Sequence, residues 1–258
     1  MKRSTVEILG VEVDDVTQAA LLDALVDFVR EGGGHQISTV NVEYLMLARR
    51  DAEFAGALRQ SALRVPDSAG ILWAARWLGR PLRERVTGSD GIYGVAERCA
   101  REDFRLFLLG AGPGIAGRVA EILRARYPGL CVCGALSGSP RRQDELELAE
   151  RVRRARADVL LVAYPSAPQE KWIARNLERT GASVAMGGGA AFDFCAGVQV
   201  RAPRWMQRAG LEWFYRLLRE PWRWRRMLAL PQAAWLVFWQ RFRDSRARER
   251  DVRARFSD

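Results

Sequence analysis

The sequence predicts an α/β fold: a Rossmann-like parallel sheet core with helices on both faces, plus a C-terminal helical appendage. Three observations predict it. Between residues 104 and 186, short apolar runs alternate with helical stretches, the order that builds parallel, helix-covered sheets. Residues with ligand-binding character (Asn41, Asp67, Gly110, Pro165 and Gly187) fall at the ends of the runs, where such sheets take their ligands. After residue 200 the alternation stops, and the chain becomes helical and rich in Arg and Trp.

Residues 6–13 (VEILGVEV) alternate around Gly10 and predict a short hairpin or bent strand. Residues 17–30 carry a broad apolar helix face, with Thr17 or Asp15 as cap and glycines 32–34 as terminator. A buried strand over 36–40 ends at Asn41, and helices follow over 43–50 and 52–60. A short strand over 63–66 delivers Asp67, and a helix covers 70–78. Residues 85–90 (RVTGSD) read as a loop before a helix over 91–101. Strands are then expected over 104–109, 130–135, 158–163 and 183–186, with helices over 115–126, 142–156 and 169–180 between them.

The 258 residues suit one large domain or two small ones, and 48% hydrophobic with 28% charged residues describes a folded chain. The expected division is a core over 1–200 with two subdomains split near 103, an appendage over 201–245, and a polar tail over 246–258. The net charge of +10 is concentrated: residues 201–258 hold 15 Arg, no Lys and 6 Asp plus Glu. Such a segment calls for an anionic partner, whether nucleic acid, phosphate-bearing substrate or acidic membrane. Four cysteines without a C-x-x-C pair argue against a zinc site or a disulfide framework and favour a reducing compartment. A single histidine, His35, leaves carboxylates as the agents of any proton transfer. No signal-peptide core and no run long enough to span a membrane are expected.

Several motifs admit two readings on the residues alone. The turn Gly110-Ala111-Gly112-Pro113-Gly114 opens a helix after a strand, yet the third glycine of a dinucleotide fingerprint would fall at Ile115 and the following strand ends without an acid. It is therefore a turn for another nucleotide or a structural turn. Asp67, beside Ser68, Ala69 and Gly70, is either a helix N-cap or a carboxylate with room for substrate. Gln169 and Glu170 open a helix, where Gln169 binds a base or phosphate or both residues serve the helix start. The stretch 187–226 places Gly188 and Asp193 before a helix crowded with Arg and Trp, which reads as a phosphate site with a cationic lid or as a packed amphipathic helix. Leu211, Phe214, Tyr215, Leu218 and Trp222 form one apolar face; Trp235, Phe238, Trp239 and Phe242 form another. Flanking arginines make these faces suited to a membrane interface, the alternative being burial on their own domain. No D-x-D lies near a strand end, so any diphosphate is expected to be neutralised by Arg, with no metal and no cofactor.

Taken together the motifs resemble the WecG/TagA/CpsF family of bacterial glycosyltransferases. The matching pieces are ILGVEVDDVT, T-x-N at Thr39 and Asn41, PD-x-x-G at Pro66, RVTGSD, LLGAGPG and QE-x-W at Gln169. They continue through FDF-x-AG, RAP-x-W-x-Q, GLEW-x-YRL and EP-x-R-x-x-R, so the resemblance spans residues 6–226. It implies inverting transfer of a sugar from a UDP-sugar to a polyprenyl-diphosphate-linked acceptor in cell-surface polysaccharide synthesis. It places the enzyme in the cytoplasm, peripheral on the anionic inner face of the membrane. Asp67 matches the family's proposed general base, with Thr39 and Asn41 near the reacting sugar. Arg85, Gly110, Gln169, Gly188 and Asp193 match the UDP-sugar site, and Arg216, Arg223 and Arg226 match an appendage that closes over the diphosphate. Ser68 stands where the family usually has Gly, and Pro168 where it usually has Lys, which bears on substrate identity. The rival expectation, from composition, is a basic module that binds nucleic acid through the Arg/Trp segment.

Overall fold

The computed structural model describes the backbone of residues 4–255 and the side chains of residues 4–244 other than Arg208 and Arg223. An antiparallel hairpin, β1 (Thr5–Ile8) and β2 (Val11–Asp14), starts the chain. Its turn needs positive φ at both Leu9 (51°) and Gly10 (84°), which a glycine supplies without strain and a leucine does not. Then follow α1 (Gln18–Glu31), β3 (His35–Val40), α2 (Val42–Ala48), α3 (Ala52–Gln60), β4 (Leu63–Pro66), α4 (Ala69–Trp77) and α5 (Gly88–Arg101). The second half runs β5 (Leu106–Gly110), α6 (Ile115–Arg126), β6 (Val132–Leu136), α7 (Glu145–Arg154), β7 (Val159–Ala163), α8 (Ser166–Thr180) and β8 (Val184–Gly187). The chain closes with α9 (Ala191–Cys195), α10 (Arg204–Arg208), α11 (Glu212–Arg219), α12 (Trp224–Met227) and α13 (Ala229–Arg255).

Strands β3 to β8 form one sheet in the order β4-β3-β8-β7-β5-β6, and every pairing is parallel. Parallel strands bury both faces, so alternate residues must serve two cores. Leu106, Leu108, Val159 and Leu161 pack with α1, α5 and α6 on one face. Their neighbours Phe107, Leu109, Leu160 and Val162 pack with α7 and α8 on the other. A third cluster joins the hairpin to α2, α3 and α4, and it includes Ala233 and Val237 of α13. The six strands share one direction, so the carboxyl ends of β3, β4, β7 and β8 open on one rim. The expected α/β core with helices on both faces and C-terminal helices is what is found.

One local expectation is corrected and two open alternatives are decided. Helix α5 begins at Gly88, not Gly91, because Thr87 caps it: the Thr87 hydroxyl accepts from the Asp90 N–H at 3.2 Å and donates to the Asp90 carboxylate at 2.6 Å. Pro221 admits either a kink in the helix over 211–222 or the start of a new element, and the structure shows the second. Helix α11 ends at Arg219, and Pro221 starts a separate 3-10 turn, Pro221–Arg223. Finally, α13 is both packed and exposed. Ala233, Val237 and Gln240 are buried, and Gln240 accepts from the Leu9 N–H at 2.9 Å while donating to the Glu7 carbonyl at 3.1 Å. The opposite face presents Trp235, Phe238, Trp239 and Phe242 outward.

Candidate active site

A cavity of about 520 Å³ lies over the carboxyl ends of β3, β4, β7 and β8, and residues of α9, α11, α12 and α13 complete its lining. Its size suits a nucleotide-scale ligand. It brings together Thr39, Asn41, Asp67, Arg85, Gln169, Gly188, Asp193, Arg216 and Arg226, nine of the eleven residues singled out in the sequence. Gly110 is not in the wall; its neighbour Ala111 is. Gly110 has φ 113°, and a Cβ there would sit 2.5 Å from the Ala163 carbonyl oxygen, so backbone packing between β5 and β7 accounts for the glycine. The Arg223 side chain falls outside the described residues.

Asp67 follows the last residue of β4 and is partly exposed to the cavity. It does not cap α4, whose N-cap is Ser68 without a side-chain bond. Its carboxylate instead accepts from the Gly88 N–H at 3.0 Å, at the start of α5. The early start of α5 therefore matters, because it supplies the donor that orients Asp67. Burial against the cavity floor raises the Asp67 pKa from 3.8 to about 7. The Gly88 hydrogen bond opposes this, Glu212 adds to it, and Arg216 and Arg85 oppose it. A carboxyl that titrates near neutrality can hold and release a proton at working pH.

Asn41 caps α2 by accepting from the Tyr44 N–H at 3.1 Å, so its Oδ1 serves the fold while its side chain lines the cavity. Thr39 is buried on β3 and donates to the Gly187 carbonyl at 3.4 Å. Gln169 has both ends of its amide engaged. Its oxygen accepts from the Gly189 N–H at 2.9 Å, and its nitrogen donates to Glu170 at 3.1 Å. It holds the glycine turn that follows β8.

The sequence offers Glu170 as a helix-start residue, but the structure gives it a different place. It is fully buried and accepts four hydrogen bonds, from Ser38 (2.6 Å), Gln36 (2.7 Å), Tyr44 (3.0 Å) and Gln169. Burial raises its pKa, and these four donors oppose the rise. Periodicity could not find this network, because its partners come from β3, α2 and α8. Gly187 packs directly against it: a Cβ there would meet the Gln169 amide nitrogen at 2.0 Å and Glu170 Oε1 at 2.5 Å. Gly187→Ala is expected to cost about 1–3 kcal/mol of stability by overpacking, read as a lower urea midpoint at unchanged slope.

The cationic wall is built mainly by the appendage. Arg216 of α11 lies over the Phe194 ring at 4.8 Å, and Arg226 of α12 pairs with Glu43 of α2, Nε to Oε1 at 3.0 Å. Asp193 of α9 accepts from Gln199 at 3.3 Å. Two charged residues of this wall had no role assigned from the sequence. Arg201 pairs through both terminal nitrogens with Asp90, and Glu212 sits among Arg85, Arg201 and Arg216. Both lie inside motifs already quoted, RAP-x-W and GLEW, so the signal was present without the geometry to interpret it. Among the described residues, no group of three His, Cys, Asp or Glu is placed to hold a metal ion.

Comparison with known proteins gives the family. The Glycosyl transferase WecG/TagA/CpsF family matches residues 6–247. An N-acetylglucosaminyldiphosphoundecaprenol N-acetyl-beta-D-mannosaminyltransferase of Bacillus subtilis (strain 168) is 35% identical over 207 residues, 79% of each chain. Proteins of the same name from Bacillus spizizenii (29% identical, 80% of this chain and 79% of the relative) and Staphylococcus aureus strain MW2 (26% identical, 86% of each) are also similar. The nucleic-acid reading of the Arg/Trp segment finds no support among them. With its family match over nearly the whole chain and its parallel-sheet core, the protein belongs to the WecG/TagA/CpsF family of glycosyl transferases.

Proposed function

We propose that this glycosyl transferase moves a sugar from a UDP-sugar to a saccharide on a polyprenyl diphosphate, with inversion at the anomeric carbon and Asp67 as the base. The observation that carries the reading is the placement of Asp67. It is one carboxylate with a pKa near 7, held by an N–H in a cavity that Arg85, Arg201, Arg216 and Arg226 also line. Asp67 takes the proton of the acceptor hydroxyl as that oxygen attacks the anomeric carbon. The bond to UDP breaks on the opposite face, and Arg85 and Arg216 stabilise the charge that develops on the leaving diphosphate. Thr39 and Asn41 line the wall beside the base and are assigned to the transferred sugar. Gln169 and Gly188 shape the turn after β8, and Asp193 lies at the UDP end. The relatives' names make N-acetylmannosamine the first donor sugar to test and a GlcNAc-bearing undecaprenyl diphosphate the first acceptor.

The same enzyme is proposed to work as a peripheral protein on the inner face of the cell membrane. No described helix is long and apolar enough to cross a bilayer. A contiguous aromatic cluster nonetheless faces outward. Trp73 and Trp77 of α4 stack at 6.1 Å, Trp77 meets Phe238 at 5.6 Å, and Trp235, Trp239 and Phe242 continue the cluster along α13. Arg241 lies over Trp77 at 5.1 Å, giving the apolar body and cationic edge of an interfacial surface. The transfer reading is tested by incubating the full chain with UDP-N-acetylmannosamine and the GlcNAc-diphosphate lipid, then weighing the lipid product. A mass gain of one N-acetylhexosamine supports it. An unchanged lipid across a panel of UDP-sugars, in the absence of any UDP binding, contradicts it.

A further inference from the structure

Resting on the donor reading above, we propose that Glu212 is a placeholder for the donor's diphosphate: it gathers Arg85, Arg201 and Arg216 in the unliganded site, and the nucleotide's phosphates displace it. Glu212 is the first residue of α11 and lines the cavity. Its carboxylate lies 3.8 Å from Arg85, 3.5 Å from Arg201 Nε and 3.9 Å from Arg216. Every one of these distances exceeds a hydrogen bond, which for a charged N–H and O pair is about 2.7–2.9 Å. One carboxylate is thus shared among three guanidinium groups and held tightly by none.

Two further observations point to an anion as the ligand of this cluster. Arg201 Nε is buried without a hydrogen-bond partner, although its terminal nitrogens are satisfied by Asp90. Among the described residues, Glu212 is also the carboxylate that comes within 4.0 Å of Arg85. A buried guanidinium with an unused N–H is costly unless a ligand completes it. A single carboxylate brings two oxygens and one charge. A diphosphate brings more oxygens and more charge, and it can take planar donors from several arginines together. Exchange of Glu212 for diphosphate therefore replaces long contacts with full hydrogen bonds while the arginines stay in place.

Arg201 gives the exchange a fixed side. Its pairing with Asp90 ties the segment before α10 to the first turn of α5. That same turn supplies the Gly88 N–H to Asp67. Arg201 and Glu212 are accordingly positioning residues: one anchors the cationic wall to the base, and the other keeps the wall assembled until the donor arrives. The groups facing Asp67 are Glu212 and Arg216 of α11, Arg85 of the segment leading into α5, Gly88 at the start of α5, and Tyr44 of α2. Loss of the Glu212 charge removes a repulsion from ionised Asp67, so the base titrates at lower pH.

The test is calorimetric binding of UDP, UMP and uridine to the full-length wild type, Glu212→Gln and Glu212→Asp, with pH profiles of kcat/KM. Glu212→Gln keeps the shape and removes the competing charge. It is expected to bind UDP about tenfold more tightly, UMP with a smaller gain, and uridine unchanged. Its acidic limb moves to lower pH, and Glu212→Asp restores both properties toward wild type. Weaker or equal UDP binding in Glu212→Gln would make Glu212 a scaffold and overturn the placeholder. An equal gain for uridine would do the same, because the effect would not run through phosphate. A wild type that binds no UDP would remove the donor reading itself, an outcome distinct from either.

Discussion

Asp67→Asn is expected to lower kcat by about 10²–10⁴-fold, the range for loss of a positioned general base. The substitution keeps the shape of the side chain and its ability to accept from the Gly88 N–H at 3.0 Å. What it removes is the acceptor for the substrate proton. UDP affinity should stay the same or rise, since a carboxylate is lost from a site meant for a diphosphate. Steady-state kinetics beside UDP calorimetry separate the two effects. A variant that loses UDP binding and kcat together would place Asp67 in nucleotide binding instead. A variant with undiminished kcat would remove it as the base while leaving the family assignment untouched.

The second large effect concerns the membrane. Trp222 is 70% exposed, Trp235 62% and Trp239 52%, values at odds with a water-facing role for three large aromatic side chains. Burying such a ring in an interface contributes about 1 kcal/mol or more at ~25 cal/mol per Å². Replacing Trp222, Trp224, Trp235 and Trp239 together with Ser is therefore expected to weaken binding to anionic vesicles by roughly 10³-fold. The core should survive, because α13 is seated through Ala233, Val237 and Gln240 on its other face. Co-sedimentation with phosphatidylglycerol vesicles measures the loss, and activity on a short-chain soluble acceptor should change little. Retained vesicle binding in the fourfold variant would move the docking surface elsewhere.

Much of this architecture was legible in the sequence because it rests on periodicity and punctuation. The runs at 106–110, 159–163 and 184–187 are apolar on both faces, and only a parallel, helix-covered strand needs that. Asp67 could be placed at a strand end for the same reason. What periodicity could not supply was the pairing of distant groups. Whether Asp67 capped its own helix or met another depended on where α5 starts, and that is decided by the Thr87–Asp90 capping pair. Glu170 looked like a first-turn acid because three of its four donors, Gln36, Ser38 and Tyr44, lie on β3 and α2, far from it in the chain. Gly110 matched the UDP-sugar site by resemblance alone; its residues left both readings open, because a glycine turn after a strand looks the same whether it admits a phosphate or the Ala163 backbone. The charged cluster around Glu212 was invisible for a related reason: an Arg-rich helix gives no sign of which carboxylate its arginines surround.

The central claim is that one cavity carboxylate, raised toward neutrality by burial, takes the acceptor's proton. Its most direct test is acceptor-dependent UDP release, followed as kcat/KM from pH 5 to 9, for the wild type and Asp67→Asn. Asp67 must be ionised to act, so activity is absent well below its pKa and rises as pH passes through it. The account predicts an acidic limb with a midpoint of about 7 in the wild type, and no such limb in the residual activity of Asp67→Asn. A wild-type profile that is flat from pH 5 to 9, or a limb near pH 7 that persists in Asp67→Asn, would contradict it.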